Sequence, residues 1–145
     1  MAPAASVALF ESHYYPYLIS GPDTFGIEKM QLFNLNDRLE RDDTVGRIYR
    51  KSLLYLVSRG FEETLPEAIL GMQKYVDELL QKPKMSTVMD RFEVHYADGT
   101  PSTLTESTSH GGFDNDVATM NSLLRTILAA EPRPENLFSK EILDY

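Results

Sequence analysis

The chain has 145 residues, of which 42% are hydrophobic and 25% charged, and its formal net charge is −8 at pH 7. This size predicts one domain with a moderate core. The acidic balance excludes nonspecific binding to nucleic acid or to an anionic membrane, because both need a basic surface. The absence of cysteine excludes disulfides, thiolate catalysis and zinc–thiolate sites, and no apolar run approaches the roughly 20 residues of a membrane span. We therefore expect a cytoplasmic protein with neither nucleic-acid nor membrane partners.

The apolar pattern predicts helices alternating with strands. In chain order the predicted elements are a helix over 4–18, a buried strand over 30–35, a helix over 45–62, a helix from Pro66 to Pro83, a strand over 91–97 and a helix over 115–130. The helices carry apolar residues at i, i+3 and i+4, whereas residues 91–97 alternate between apolar and polar. Asp98-Gly99 is a turn signal, and the polar stretch after it is compatible with a hairpin.

This alternation indicates an α/β fold with few, mostly parallel strands packed with helices. Residues 1–131 are expected to form the single domain, and 132–145 an acidic tail or a docking helix. Two strands and a hairpin are few for a sheet that helices cover on both faces.

The segment Ser107–Asp116 is the most informative part of the chain, because it places a histidine between a predicted strand and a predicted helix. His110 is followed by Gly111 and Gly112, which permit a positive φ and leave space beside the imidazole. Asp114, Asn115 or Asp116 can cap the helix that follows. Histidine changes its charge near neutral pH, so a loop of this kind can present a general base, although it is also a reasonable way to build a turn.

The order of elements resembles the C-terminal part of an α/β-hydrolase. In that fold the seventh strand is followed by the acid of the triad, a helix and the eighth strand, and then by the histidine loop and a last helix. Here the corresponding parts are the strand ending at Leu35, the acidic residues 36–43, the helix over 45–62, the strand over 91–97, the loop Ser109-His110-Gly111-Gly112-Phe113 and the helix over 115–130. The stretch from Leu53 to Arg59 also resembles members of this superfamily.

The resemblance implies the base and the acid of a Ser-His-Asp triad, for hydrolysis of a small ester or amide. His110 would be the base and Asp37, which follows the strand most directly, the acid, with Asp43 or Asp42 as alternatives. These aspartates also have a structural interpretation, since an acidic turn before a helix caps it and interacts favourably with the helix dipole. The three histidines form no recognisable metal motif, and we expect neither a metal nor a cofactor.

The chain departs from the family in having no Gly-x-Ser-x-Gly motif and therefore no nucleophile elbow. The resemblance thus implies a C-terminal segment that is inactive alone, whose partner is a complementary N-terminal hydrolase half or another copy of the chain. The alternative is a non-enzymatic α/β interaction or oligomerisation domain. A third interpretation is a small complete enzyme that uses Ser107 or Ser109 with His110. It ranks last, because side chains so close in sequence rarely point towards each other as the proton transfer requires.

Overall fold

The computed structural model describes residues 3–43, 52–60, 66–102 and 104–143. Its helices are α1 (Val7–Leu9), α2 (Tyr15–Ser20), α3 (Asp37–Asp42), α4 (Leu53–Gly60), α5 (Gln73–Leu80), α6 (Val117–Leu128) and α7 (Lys140–Leu143). Its strands are β1 (Met30–Leu35) and β2 (Phe92–Ala97). The mixed helix and strand composition agrees with the predicted α/β class.

β1 and β2 form a parallel pair, as the alternation of elements predicts. Met30 lies opposite Phe92 and Leu35 opposite Ala97, so the two strands are in register over their full length. Parallel strands need a long crossover, and α3, α4 and α5 lie within the segment that connects β1 to β2. The carboxyl ends of both strands therefore lie side by side at one edge of the sheet.

The two faces of the sheet carry separate parts of the core. One buried cluster comprises Val7, Phe10, Leu18, Leu32, Leu70, Val76, Leu79, Met85, Val88 and Phe92. The other comprises Phe33, Leu35, Leu39, Ala97 and Phe113, with Leu123 of α6 packed against it. Because side chains alternate along a strand, neighbouring residues such as Leu32 and Phe33 enter different clusters.

The first helical segment runs over 7–20, so it begins and ends later than the predicted 4–18. Ser6 caps it, because its hydroxyl accepts a hydrogen bond from the Leu9 amide at 3.0 Å. A π-helical turn, Phe10–Tyr14, then joins α1 to α2, which places Pro16 in the first turn of α2. Proline lacks the amide of an ordinary helical hydrogen bond, and Pro16 lies directly after the π-helical turn, where the regular pattern of these bonds is already interrupted. The segment ends at Gly21, whose φ of 65° and contact with the Arg91 guanidinium both favour glycine.

The helix predicted from Pro66 begins only at Gln73. The preceding residues pair instead with the N-terminal segment: the Val7 amide donates to the Ala68 carbonyl at 2.7 Å, and the Leu70 amide donates to the Ala5 carbonyl at 2.8 Å. These extended contacts take up backbone groups that a helix would use. Of the helix predicted over 45–62, the structure describes residues 52–60; Ser52 is not helical, and α4 begins at Leu53.

The predicted hairpin after Asp98-Gly99 does not form, since none of the described residues between 98 and 109 lies in a strand. The segment is a loop fastened to α6 by the side chain of Asp116, which accepts a hydrogen bond from the Glu106 amide at 2.7 Å. The same carboxylate caps α6 by accepting from the amides of Ala118 and Thr119. Asp116 is thus the cap among the three predicted candidates, and it also holds the loop that leads to His110.

Asp116 makes stability depend on pH. Burial alone would raise the pKa of its carboxyl, but hydrogen bonds from Thr119, Glu106 and Ala118 together hold that pKa below the ordinary value of 3.8. A lowered folded-state pKa adds stability that is complete above 3.8 and is lost as the pH falls through the folded value. We expect Asp116→Asn, which keeps a capping oxygen, to flatten this acid limb in urea unfolding at several pH values. Asp114→Asn is the matched control, and an equal flattening in that variant would contradict the assignment.

The C-terminal residues dock on the domain. The Asn121 side chain donates to the Phe138 carbonyl at 3.0 Å and accepts from the Phe138 amide at 2.8 Å. Leu143 of α7 is buried. The described part of this segment therefore contacts α6 through Phe138 and contains one short helix, α7.

Candidate active site

A buried glutamate lies just beyond the carboxyl end of β1. Asn36 ends the strand and caps α3, since its side-chain oxygen accepts from the Leu39 amide at 2.9 Å. A helix that starts at Asp37 turns Leu39 and Glu40 towards the core, and the Glu40 side chain is only 1% exposed. A carboxylate is rarely buried to this extent unless it is paired.

The partner of Glu40 is the imidazole of His110. Nε2 of His110 lies 2.8 Å from each carboxylate oxygen of Glu40, and the histidine side chain is 21% exposed. The His110 backbone amide donates to Asp43 at 3.2 Å. The segments that follow the two strands therefore meet here. Glu40 lies in the helix after β1, and His110 lies in the loop after β2.

Ser52, which precedes α4, completes the surroundings of the carboxylate. Its hydroxyl donates to Oε1 of Glu40, and its backbone amide donates to the Glu40 carbonyl at 3.2 Å. Ser52 is fully buried. The Glu40 carboxylate thus has a neutral hydroxyl donor as well as the imidazole.

This geometry fixes which ring nitrogen can act as a base. An ionised carboxylate only accepts hydrogen bonds, so the tautomer that fits this contact carries its proton on Nε2, and the Nε2–H group donates a hydrogen bond to Glu40. In the neutral imidazole the lone pair is then on Nδ1, which has no hydrogen-bond partner among the described residues. In the Ser-His-Asp triad the roles are reversed, with the carboxylate on Nδ1 and the base at Nε2.

The structure brings only part of the predicted acidic set to His110. Asp43 holds the backbone of the histidine loop, and Asp42 is exposed. Asp37 faces elsewhere: it pairs with Arg41 and accepts from the Tyr55 hydroxyl at 3.2 Å. Glu40 and Ser52 were not selected from the sequence, although the Asn36 cap signal marks the helix that turns Glu40 inwards.

The serines of the histidine loop do not complete a triad. Ser107 is buried and donates to the Ser109 carbonyl at 2.9 Å. Within the described residues, no serine hydroxyl is hydrogen-bonded to the His110 side chain. The Ser52 hydroxyl bonds to the carboxylate of the pair and not to the imidazole.

The two glycines beside His110 have different roles, and neither adopts a positive φ. A Cβ added at Gly112 would lie 2.8 Å from the Ser107 hydroxyl and 3.1 Å from the Ser109 hydroxyl, whereas one added at Gly111 would meet no atom within 4 Å. The prediction that these glycines adopt a positive φ is therefore wrong. Gly112 is instead required because a side chain there would collide with the Ser107 hydroxyl.

We expect Gly112→Ala to displace the Ser107 side chain and to lower the free energy of unfolding by about 1 kcal/mol, the value of one lost hydrogen bond. Gly111→Ala is the matched control and should be neutral or slightly stabilising in the same thermal and urea unfolding experiments. Equal losses of unfolding free energy in the two variants would contradict a specific collision between a side chain at residue 112 and the Ser107 hydroxyl.

The other two histidines lie away from this pair. His13 lies in the exposed part of the first helical segment, where Nδ1 is 2.8 Å from the Ser12 hydroxyl. His95 is on β2, with its ring centroid 5.0 Å from that of Phe33 and its side chain only 16% exposed. The described residues contain no group of three or more potential metal ligands arranged around one point.

Comparisons of the chain with models of known protein families, with curated proteins and with solved structures each gave no match. In the part of the chain that the structure describes, no helix is both long and apolar enough to cross a membrane. The feature of the chain that points to a function is therefore the Glu40–His110 pair itself.

Proposed function

We propose that this chain supplies the general base of an acyl-transfer hydrolase, His110, together with the carboxylate that orients it, Glu40. The observation that carries the proposal is the buried Glu40 carboxylate with both oxygens 2.8 Å from His110 Nε2. A partly exposed imidazole held by a buried carboxylate can accept a proton from a nucleophile and later return it to the leaving group.

The position of the pair in the fold supports the proposal. Glu40 follows β1 and His110 follows β2, and these are adjacent parallel strands. In open α/β sheets, ligands bind beyond the carboxyl ends of the strands. The order strand, acid, strand, histidine, helix is also the order of the C-terminal part of an α/β-hydrolase, with Glu40 in place of the expected aspartate.

The reaction class is hydrolysis of a small ester or amide, with Nδ1 of His110 as the accepting atom. The serine nucleophile and the oxyanion donors come from a complementary hydrolase half, because the chain contains no nucleophile elbow. Alone, the chain holds and orients the base without turning over substrate.

Acylation of the histidines by diethyl pyrocarbonate tests the base, with each site followed by peptide mass spectrometry. Because the Glu40 carboxylate increases the basicity of the opposite ring nitrogen, Glu40→Gln should slow acylation of His110 several-fold. The matched control is Asp37→Asn, which alters another carboxylate of α3, and acylation of His13 should be unchanged in both variants. Equal slowing in the two variants, or none in either, would overturn the assignment of Glu40.

A fluorophosphonate probe tests the missing nucleophile, since it labels activated serines. We expect no adduct in the intact mass of the wild-type chain. A single serine adduct that is lost in His110→Ala would show that the nucleophile lies within these 145 residues. The chain would then be a complete hydrolase, and the complementary half would be superfluous.

A second candidate function, self-association or binding of another chain, is favoured by the small sheet. Among the described residues only β1 and β2 form a sheet, whereas parallel sheets usually have further strands and a two-stranded sheet is marginal in water. Light scattering over a wide concentration range distinguishes this function. A mass that increases with concentration, and equally so in His110→Ala, would favour it, and a constant monomer mass would count against it.

A further inference from the structure

The carboxylate that holds the proposed base is itself contacted by a third residue, Ser52, which lies just before α4. Ser52 is fully buried, and its hydroxyl donates to Oε1 of Glu40. Its backbone is also fixed, because its amide donates to the Glu40 carbonyl at 3.2 Å and its carbonyl accepts from the Tyr55 amide at 3.1 Å. The hydroxyl is therefore held in place relative to the carboxylate.

Glu40 needs such a constraint, because its side chain has three torsions and the last of them is broad. The two carboxylate oxygens are equidistant from His110 Nε2, so the imidazole alone does not favour one rotation of the carboxylate over another. A donor on Oε1 makes the oxygens inequivalent and fixes the plane of the group. In a site shielded from water, a hydrogen bond to an ionised group is stronger than one between neutral groups.

We propose that Ser52 is a positioning residue, which orients the Glu40 carboxylate so that it holds the proton on Nε2 of His110 and leaves Nδ1 as the base. This inference rests on the function proposed above and adds a residue to it. Ser52 is not the nucleophile, because its hydroxyl is directed at the carboxylate and not at the imidazole.

The test is the exchange rate with water of the Hε2 proton of His110, measured by NMR on the ¹⁵N-labelled full chain. Removing the Ser52 donor in Ser52→Ala should raise this rate about tenfold, the factor expected for loss of a hydrogen bond to a charged group. Ser52→Thr, which keeps the hydroxyl, should restore a rate near that of the wild type. Ser52→Cys, which keeps the shape but weakens the donor, should give an intermediate rate, and it keeps the proposal testable if Ser52→Ala does not fold.

Ser58→Ala is the matched control, because Ser58 is a buried serine of α4 whose hydroxyl donates elsewhere, to the Glu67 carbonyl at 2.6 Å. It should lower stability without changing the Hε2 exchange of His110. Equal increases in Ser52→Ala and Ser58→Ala would show general loosening and would overturn the positioning role, as would no increase in either.

Glu40→Gln separates this inference from the function on which it rests. If that variant speeds Hε2 exchange and Ser52→Ala does not, Glu40 still orients His110 as proposed, and the positioning role of Ser52 is wrong. If Glu40→Gln itself leaves the exchange unchanged, the carboxylate does not hold Nε2, and the proposed function fails with it.

Discussion

His110→Ala is expected to destabilise the protein by about 3–5 kcal/mol, the cost of leaving a buried charge without its partner. The Glu40 side chain is only 1% exposed, so its carboxylate cannot turn to water when the imidazole is removed. Glu40→Gln should cost much less, because the His110 side chain is 21% exposed and its ring can be hydrated. Urea unfolding of both variants measures this asymmetry.

The double variant completes the test. If the pair is coupled, His110→Ala should cost far less in the Glu40→Gln background than in the wild type, because no buried charge is then left unpaired. Asp43→Asn serves as the control background in place of Glu40→Gln. The Asp43 side chain accepts a hydrogen bond from the backbone amide of His110 and not from its ring. Equal costs for His110→Ala in the two backgrounds would contradict a direct interaction between the two side chains.

Phe92→Ala should have an effect of similar size, through packing rather than charge. Phe92 is 2% exposed on β2, and its ring centroid lies 5.1 Å from that of Phe10 in the first helical segment. Removing a buried phenylalanine leaves a cavity and typically costs about 3–5 kcal/mol. Urea unfolding should show a lower midpoint with an unchanged m-value.

Phe25→Ala is the matched control for this prediction. Phe25 is 100% exposed, and its φ of 58° is unfavourable for any residue with a side chain. Removal of its ring should therefore change the free energy of unfolding by less than about 0.5 kcal/mol. A large loss in Phe25→Ala, or a small one in Phe92→Ala, would contradict the core that the structure defines.

The sheet and the last helix could be predicted from the sequence because their signals are local. The compact apolar run of β1 and the alternation of β2 match the observed strands Met30–Leu35 and Phe92–Ala97. The apolar spacing over 115–130 likewise predicts α6, Val117–Leu128, whose cap Asp116 is one of the three candidates. The predicted hairpin is wrong because the Glu106 amide bonds to the side chain of Asp116, and local β propensity carries no sign of that contact with α6.

The carboxylate of the site could not be assigned from the sequence, for a different reason. A residue that follows a strand directly is the simplest choice, and Asp37 fits that description. The Asn36 cap instead begins a helix at Asp37, which turns Asp37 towards Arg41 and buries Glu40. Glu40 and His110 are separated by 69 intervening residues, and no local pattern in either segment indicates that they meet.

The central claim is that Glu40 holds the proton on Nε2 of His110, and one NMR measurement tests it most directly. A long-range ¹H–¹⁵N correlation spectrum of the histidine side chains shows which ring nitrogen carries the proton and whether that proton exchanges slowly. We expect a proton on His110 Nε2 that exchanges slowly in the wild type and in Asp37→Asn, and much faster in Glu40→Gln. A proton on Nδ1 in the wild type, or an Nε2 proton that exchanges as slowly in Glu40→Gln as in the wild type, would contradict the account.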